Sequence, residues 1–227
     1  MPEVHGNLEG IRKSTLDELA AFYDVQLDSD VFMPQDLLQS LCGYSAFLNR
    51  EIAVYITRDG EIADVFIGKA ASIDLPDIRL RRSERRLSMI RCIHTHPSGT
   101  GMLSDVDISA LTSMRFDAMC AVGVAADGHI TSTQCAFLDP SAPGGVNRTE
   151  VINARKMPQA EWMDMIEEAD RAYFAEVKEE KGGLERAVLV GIENEQSLDE
   201  LQELAKTAGA ETVLRVLQKR PSPDTAF

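Results

Sequence analysis

His94-Thr95-His96-Pro97 is followed, after a gap of seven residues from His96, by Ser104-Asp105-Val106-Asp107. An apolar run from Met89 to Ile93 leads into the first histidine and reads as a short buried strand. Side chains two apart on a strand share a face. His94 and His96 therefore present both imidazoles to one side, at the end of the strand. Pro97 stops that strand, and Ser98-Gly99-Thr100-Gly101 forms a loop. Ser104 is then a helix N-cap, and Asp107, one turn in, points back toward the loop. Two imidazoles and one carboxylate make the ligand set of an open zinc site. Zinc takes N and O ligands at about 2.0–2.2 Å and keeps a fourth position for water. The plain alternative is a loop whose histidines and aspartate satisfy only each other and the backbone.

The elements that must position these residues read as follows. Residues 14–25 form a helix opened by a Thr15/Glu18 capping box. Pro34 opens a second helix, with Leu37, Leu38 and Leu41 as its apolar face, and Gly43 ends or bends it. Glu51 to Thr57 and Ile62 to Ile67 are strands joined by the turn Arg58-Asp59-Gly60-Glu61. Gly68 to Leu75 continues the sheet past a kink. The histidine strand comes next, then a helix over 104–114, a buried strand over 119–124 and a partner strand over 130–137. This predicts an α+β domain over residues 1–140, a mostly antiparallel sheet with helices packed on it.

A linker over 141–157, rich in Pro and Gly at its start, precedes a different composition. Residues 160–181 form a long acidic helix with Trp162, Ile166 and Ala169 at helical spacing. Strand 187–192, a helix opened by a Ser197/Glu200 capping box, and strand 212–217 then form one βαβ unit. Residues 158–227 are thus a helix plus the start of an α/β domain. One such unit cannot bury both faces of its sheet, so further strands are expected beyond Phe227.

Composition sets outer bounds. With 44% hydrophobic and 26% charged residues, the 227-residue chain is of the soluble globular kind. It has no apolar run of about 18 residues, so no membrane span is expected. The start, Met1-Pro2-Glu3-Val4-His5-Gly6, lacks a signal pattern, and a cytoplasmic location is the expectation. Cys42, Cys92, Cys120 and Cys135 lie apart among apolar residues and read as reduced, buried thiols. A net charge of −14 disfavours a surface that wraps a nucleic-acid duplex. One segment runs the other way: Arg79, Arg81, Arg82, Arg85, Arg86 and Arg91, opposed only by Glu84. It is either a solvated connector or a contact for RNA phosphates or an acidic partner.

The motif His-x-His-Pro, seven residues, then Ser-x-x-Asp resembles that of JAMM (MPN-plus) metalloproteases, and its His-Pro-Ser-Gly form is similar to RadC-type proteins. The resemblance implies a JAMM/MPN-like, cytidine-deaminase-like domain with one zinc held by His94, His96 and Asp107. It implies hydrolysis of a peptide or isopeptide bond, with a strand glutamate upstream of the histidines as proton acceptor. Glu51 at the head of the first strand is the best match. Glu61 sits at the hairpin turn, and Glu84 lies among arginines. Ser104 matches the serine that hydrogen-bonds the tetrahedral intermediate and caps its helix as well. His5 and His129 read as surface residues. Phosphoesterases and amidohydrolases with His-x-His need more histidines than the four in this chain.

The chain also resembles the N-terminal region of HflX-type GTPases. The stretches that carry this are Gly6 to Lys13, Arg186-Ala-Val-Leu-Val-Gly191, Ser197-Leu-Asp-Glu-Leu201, Ala205 to Glu211, and Gln218-Lys-Arg-Pro221. The family implies a cytoplasmic, GTP-binding protein on the large ribosomal subunit, with its GTPase domain further along. GTP and Mg²⁺ belong to that part. The one Gly-Lys here, Gly68-Lys69, has Ala70 next and no matching upstream glycine, so it is no phosphate loop. On this likeness the first domain is either a zinc hydrolase or a non-catalytic docking and regulatory module for the GTPase.

Overall fold

The computed structural model describes residues 3–68, 87–97, 99–153, 157–180, 185–191 and 194–217. Two compact units divide at 175/176. The first is α+β. Its mixed sheet has the order β1-β3-β2-β4-β5-β6-β7. The strands are β1 (His5–Gly6), β2 (Ile52–Thr57), β3 (Ile62–Ile67), β4 (Ile90–His96), β5 (Ala118–Val124), β6 (Ile130–Leu138) and β7 (Val146–Arg148). β1–β3 and β4–β5 are parallel, and the other pairings are antiparallel. The segment 69–75, expected to extend the sheet, lies outside the described residues.

β2, β4 and β5 are apolar on both faces because both faces are covered. Ile52, Val54, Ile56, Ile93, Cys120 and Val122 face one core. That core is closed by α1 (Lys13–Ala20) and α2 (Gln35–Leu48), through Leu19, Leu38, Leu41 and Cys42. Ala53, Tyr55, Cys92, Met119 and Ala121 face the other core, closed by α3 (Asp105–Met114) through Leu111. All four cysteines are free and buried.

Local chemistry departs from expectation at several ends. α1 begins after Arg12 with no side-chain cap. Thr15 is instead a buried helical residue, and Glu18 accepts from the Tyr44 hydroxyl at 2.9 Å. α2 runs through Gly43 and is closed by Asn49, at φ 49. Asparagine is one of the few residues that accepts that left-handed conformation.

The stretch expected to be a linker carries β7, which pairs with β6 at the sheet edge. α4 (Gln159–Glu180) follows, and the division between units falls inside it. Its first turns belong to the first unit: Trp162 and Ile166 enter one core and Ala169 the other. The Trp162 ring meets Phe32 edge-on at 5.1 Å. The Gln159 amide brackets Met33, bonding its N–H and its carbonyl, both at 2.9 Å. Arg58 joins buried Asp117 at 2.5 Å and Asp170 of α4 at 3.1 Å.

Arg91 also contradicts expectation. As the last member of the basic segment it was a candidate for an RNA contact, yet it is 1% exposed. Its guanidinium donates to the carbonyls of Phe32, Val31 and Thr57 at 2.9, 3.0 and 3.0 Å. β4 alternation turns it inward with Ile93, which removes it from any surface. Arg79 to Arg86 lie outside the described residues.

The second unit pairs β8 (Glu185–Gly191) with β9 (Ala210–Leu217) in parallel, connected by α5 (Glu195–Thr207). α5 is capped by Asn194, which accepts from the Ser197 amide at 2.9 Å, rather than by Ser197. Leu189 and Leu198 are buried, while Val188, Val190, Leu214 and Val216 are exposed.

Trp162→Ala removes the largest fully buried side chain. It is expected to cost about 3–5 kcal/mol, read as a lower urea midpoint for the first unit at unchanged slope. Retention of the wild-type midpoint would detach α4 from this core.

Candidate metal centre

β4 ends in the two histidines, and the parity of the strand sends both to the face of Ala53 and Tyr55. The same face carries α3. Ser104, at φ −84 and ψ 168, is its N-cap, and Asp107 closes a reciprocal capping box. The Ser104 amide and hydroxyl donate to Asp107 Oδ2 at 2.7 and 2.8 Å. This leaves Asp107 Oδ1 aimed at His94 Nε2, 3.3 Å away. His94 Nε2 and His96 Nε2 are 2.9 Å apart. One ligand atom from each of His94, His96 and Asp107 lies within 4.8 Å of the others. Tetrahedral zinc with bonds near 2.0–2.1 Å needs its ligand atoms about 3.3 Å apart. Small adjustments bring the three to that spacing, so this group can hold one metal ion.

The imidazoles differ in their second contacts. His96 Nδ1 is 3.0 Å from the Thr100 carbonyl. A carbonyl only accepts, so Nδ1 carries the proton and Nε2 turns a lone pair into the site. His94 is fully buried, and among the described residues its Nδ1 has no hydrogen-bond partner. Burial, then the neighbouring His94, lowers the His96 pKa below its usual value, so its ring is neutral at pH 7. Burial pushes Asp107 up, but His94 and the Ser104 donors push it further down, well below the ordinary carboxylate range. A neutral His96 and an ionised Asp107 are the protonation states a divalent cation requires of them.

The loop between Pro97 and Ser104 is set by side chains that the motif alone does not reveal. Thr131 donates to the Gly99 carbonyl at 2.7 Å. The Gly101 amide donates to Ser132 Oγ at 3.0 Å, and the Leu103 amide to Gln134 Oε1 at 2.9 Å. A Cβ at Gly101 would sit 2.2 Å from the Ser132 carbonyl, and one at Gly123 2.6 Å from the Gly101 nitrogen. Both glycines are therefore demanded by close backbone approach. Their pairing across 22 residues is invisible in the sequence.

The structure places the remaining candidates as follows. Ala53 pairs with His94, and the Gly68 amide still bonds the Glu51 carbonyl at 2.8 Å. Glu51 stands just before β2, two residues from Ala53, so its parity along the chain is that of Ala53, the residue paired with His94. Glu61 begins the far end of the hairpin, next to β3, and Glu84 lies outside the described residues. The Ser104 hydroxyl has one proton, and it goes to Asp107. In this arrangement Ser104 orients the ligand carboxylate. His5 bonds buried Asp64 at 2.6 Å and is no ligand. His129 is exposed beside Asp127.

Compared with family models, curated proteins and solved structures, the chain matches none. Among the described residues no helix is long and apolar enough to cross a membrane.

Asp107 has its folded-state pKa depressed, so its contribution to stability is complete above the unfolded value of about 3.9. It is lost as pH falls below that value. In the presence of a chelator, Asp107→Asn is expected to be less stable by about 1–3 kcal/mol at pH 6. The gap should begin to narrow once the pH falls below about 4 and keep narrowing as the pH falls further toward the folded-state value. A gap that persists unchanged in acid would show that the charge of Asp107 is not what the site holds.

Proposed function

We propose that the first unit is a zinc-dependent hydrolase of JAMM/MPN type, acting on a peptide or isopeptide bond. The observation that carries this is the convergence of His94 Nε2, His96 Nε2 and Asp107 Oδ1 at the end of β4. Three protein ligands leave a fourth position open, the mark of catalytic rather than structural zinc. Zinc, when bound, supplies a water of pKa near 7 and polarises a carbonyl.

The chain's own residues do the rest. His94 and His96 would each offer an imidazole nitrogen to the ion. Ser104 fixes the rotamer of Asp107 through two hydrogen bonds. Glu51, the acid that alternation brings to the same face, takes the proton of the attacking water and returns it to the leaving amine. Its place at the head of β2, two residues before the Ala53 that pairs with His94, supports that role.

For the chain as a whole we propose an HflX-like, ribosome-associated protein in the cytoplasm. The stretches in the second unit and its parallel β8–α5–β9 arrangement support this. In that setting a GTPase domain elsewhere would bind GTP and Mg²⁺, and the large ribosomal subunit is the expected partner.

The test begins with metal. The purified chain, dialysed against micromolar zinc, should retain about one zinc by elemental analysis, and His96→Ala should retain none. On a panel of quenched peptides and isopeptides, Glu51→Gln should keep its zinc and lose about 10²–10⁴-fold in rate. A wild-type chain that stays free of zinc under these conditions would remove the hydrolase reading.

A further inference from the structure

We propose that Thr95 and Ser45 are positioning residues for Glu51, forming a buried hydroxyl relay that fixes the backbone on both sides of it. This rests on the reading of Glu51 as the proton-accepting carboxylate. Thr95 stands between the two histidines, so strand parity turns it to the opposite face, toward α2. There it is fully buried, as is Ser45 of α2. The Ile52 amide donates to Thr95 Oγ1 at 2.9 Å. Thr95 Oγ1 donates to Ser45 Oγ at 2.8 Å. Ser45 Oγ donates to the Arg50 carbonyl at 2.8 Å. The relay starts at the amide just after Glu51 and ends at the carbonyl just before it.

Direction makes the relay specific. Each hydroxyl accepts one bond and donates one, so the order from amide to carbonyl has no slack. The Ile52 carbonyl, 3.3 Å from Thr95 Oγ1, is a weaker second acceptor for the Thr95 hydroxyl. A third tie comes from the other side, where the Gly68 amide bonds the Glu51 carbonyl at 2.8 Å. Ends of strands normally fray. Here the first residue before β2 is held at every peptide group around it. A carboxylate on a flexible side chain gains from this, because a displacement of about 1 Å from the reacting atoms costs on the order of 10²-fold in rate.

The arrangement also couples the two halves of the site. β4 carries the imidazoles on one face and, through the residue between them, grips the glutamate's strand from the other. Glu51 and the ligands are then referenced to one strand, although 43 positions separate Glu51 from His94.

Thr95→Val keeps the shape and removes the hydroxyl, and Thr95→Ser keeps the hydroxyl. The experiment reads two signals: amide exchange at Ile52 without metal, and the visible spectrum with saturating cobalt. Thr95→Val should speed Ile52 exchange by about tenfold or more. Its cobalt spectrum should move in the same direction as that of Glu51→Gln, and Thr95→Ser should restore both signals. If Thr95→Val does not fold, Ser45→Ala, which cuts only the link to Arg50, is read by the same two signals. A wild-type spectrum in the hydroxyl-deleted variant, with Glu51→Gln altered, overturns the relay and leaves the hydrolase reading standing. A wild-type spectrum in Glu51→Gln removes Glu51 from the site, and this inference with it.

Discussion

The antiparallel register of β2 on β4, with Ala53 opposite His94, governs everything at the candidate centre. A slip of one residue would move every side chain of β2 to the other face. Glu51 would then point toward α2, and Ile52 and Val54 would point at the imidazoles. Such a slip is opposed on both faces at once. Ile52, Val54 and Ile56 fill the α2 side, while Tyr55 packs against Phe116 on the α3 side, with ring centroids 5.7 Å apart. A strand that is apolar on both faces gains little register information from hydrophobicity alone. The Ile52–Thr95 bond supplies it, since only one register brings that amide to that hydroxyl.

Three buried ionised groups show how the unit spends polarity. Arg91 has its pKa lowered to about 10 by burial, against the opposing pull of the Asp117 charge, and among the described residues no carboxylate forms an ion pair with it. Three carbonyls and the Phe32 ring, 5.8 Å away, hold it. Asp117 is deeper than Asp107, and burial raises its pKa even with Arg58 against it. Asp107 goes the other way because His94 and Ser104 outweigh its burial. The first two hold loop 31–33 and α4 in place. Asp107 differs in that its Oδ1 faces His94 Nε2 within a group of possible metal ligands, whereas the oxygens of Asp117 are taken by Arg58 and the Met89 amide.

How far the sequence shows this can be judged residue by residue. Strict local rules were legible: the alternation that pairs His94 with His96, the Ser104 cap, the Arg58–Glu61 hairpin and the βαβ order of the second unit. Boundaries governed by tertiary contact were not. Thr15 looks like a cap but is buried beneath packing that no local pattern encodes. Val146–Arg148 follows a Pro/Gly stretch yet pairs with β6, because an open sheet edge offers its amides partners. Arg91 looks like one more cation in a basic run, and only its parity with Ile93 shows that it turns inward. Thr95 escaped notice for the opposite reason. It sits inside the motif, and attention to the ligands on one face hides what the residue between them does on the other.

The arrangement also bears on the plainer account, a loop that satisfies only itself. Such a loop needs its donors and acceptors to be matched. Here two imidazole nitrogens are brought to 2.9 Å, burial works against the charge of His96, and among the described residues His94 Nδ1 has no partner. A buried unpaired nitrogen costs about 1–3 kcal/mol, and a single Asn or Gln at position 94 could meet Asp107 without it. The second imidazole meets His94 Nε2 at 2.9 Å. It is held by the Thr100 carbonyl so that its lone pair faces inward, and the loop is pinned by Thr131, Ser132 and Gln134 to keep that carbonyl in place. This is a large outlay of ordered contacts on a lone pair. A site able to hold one metal ion accounts for it, with the ionised Asp107 and the neutral His96 among its possible ligands.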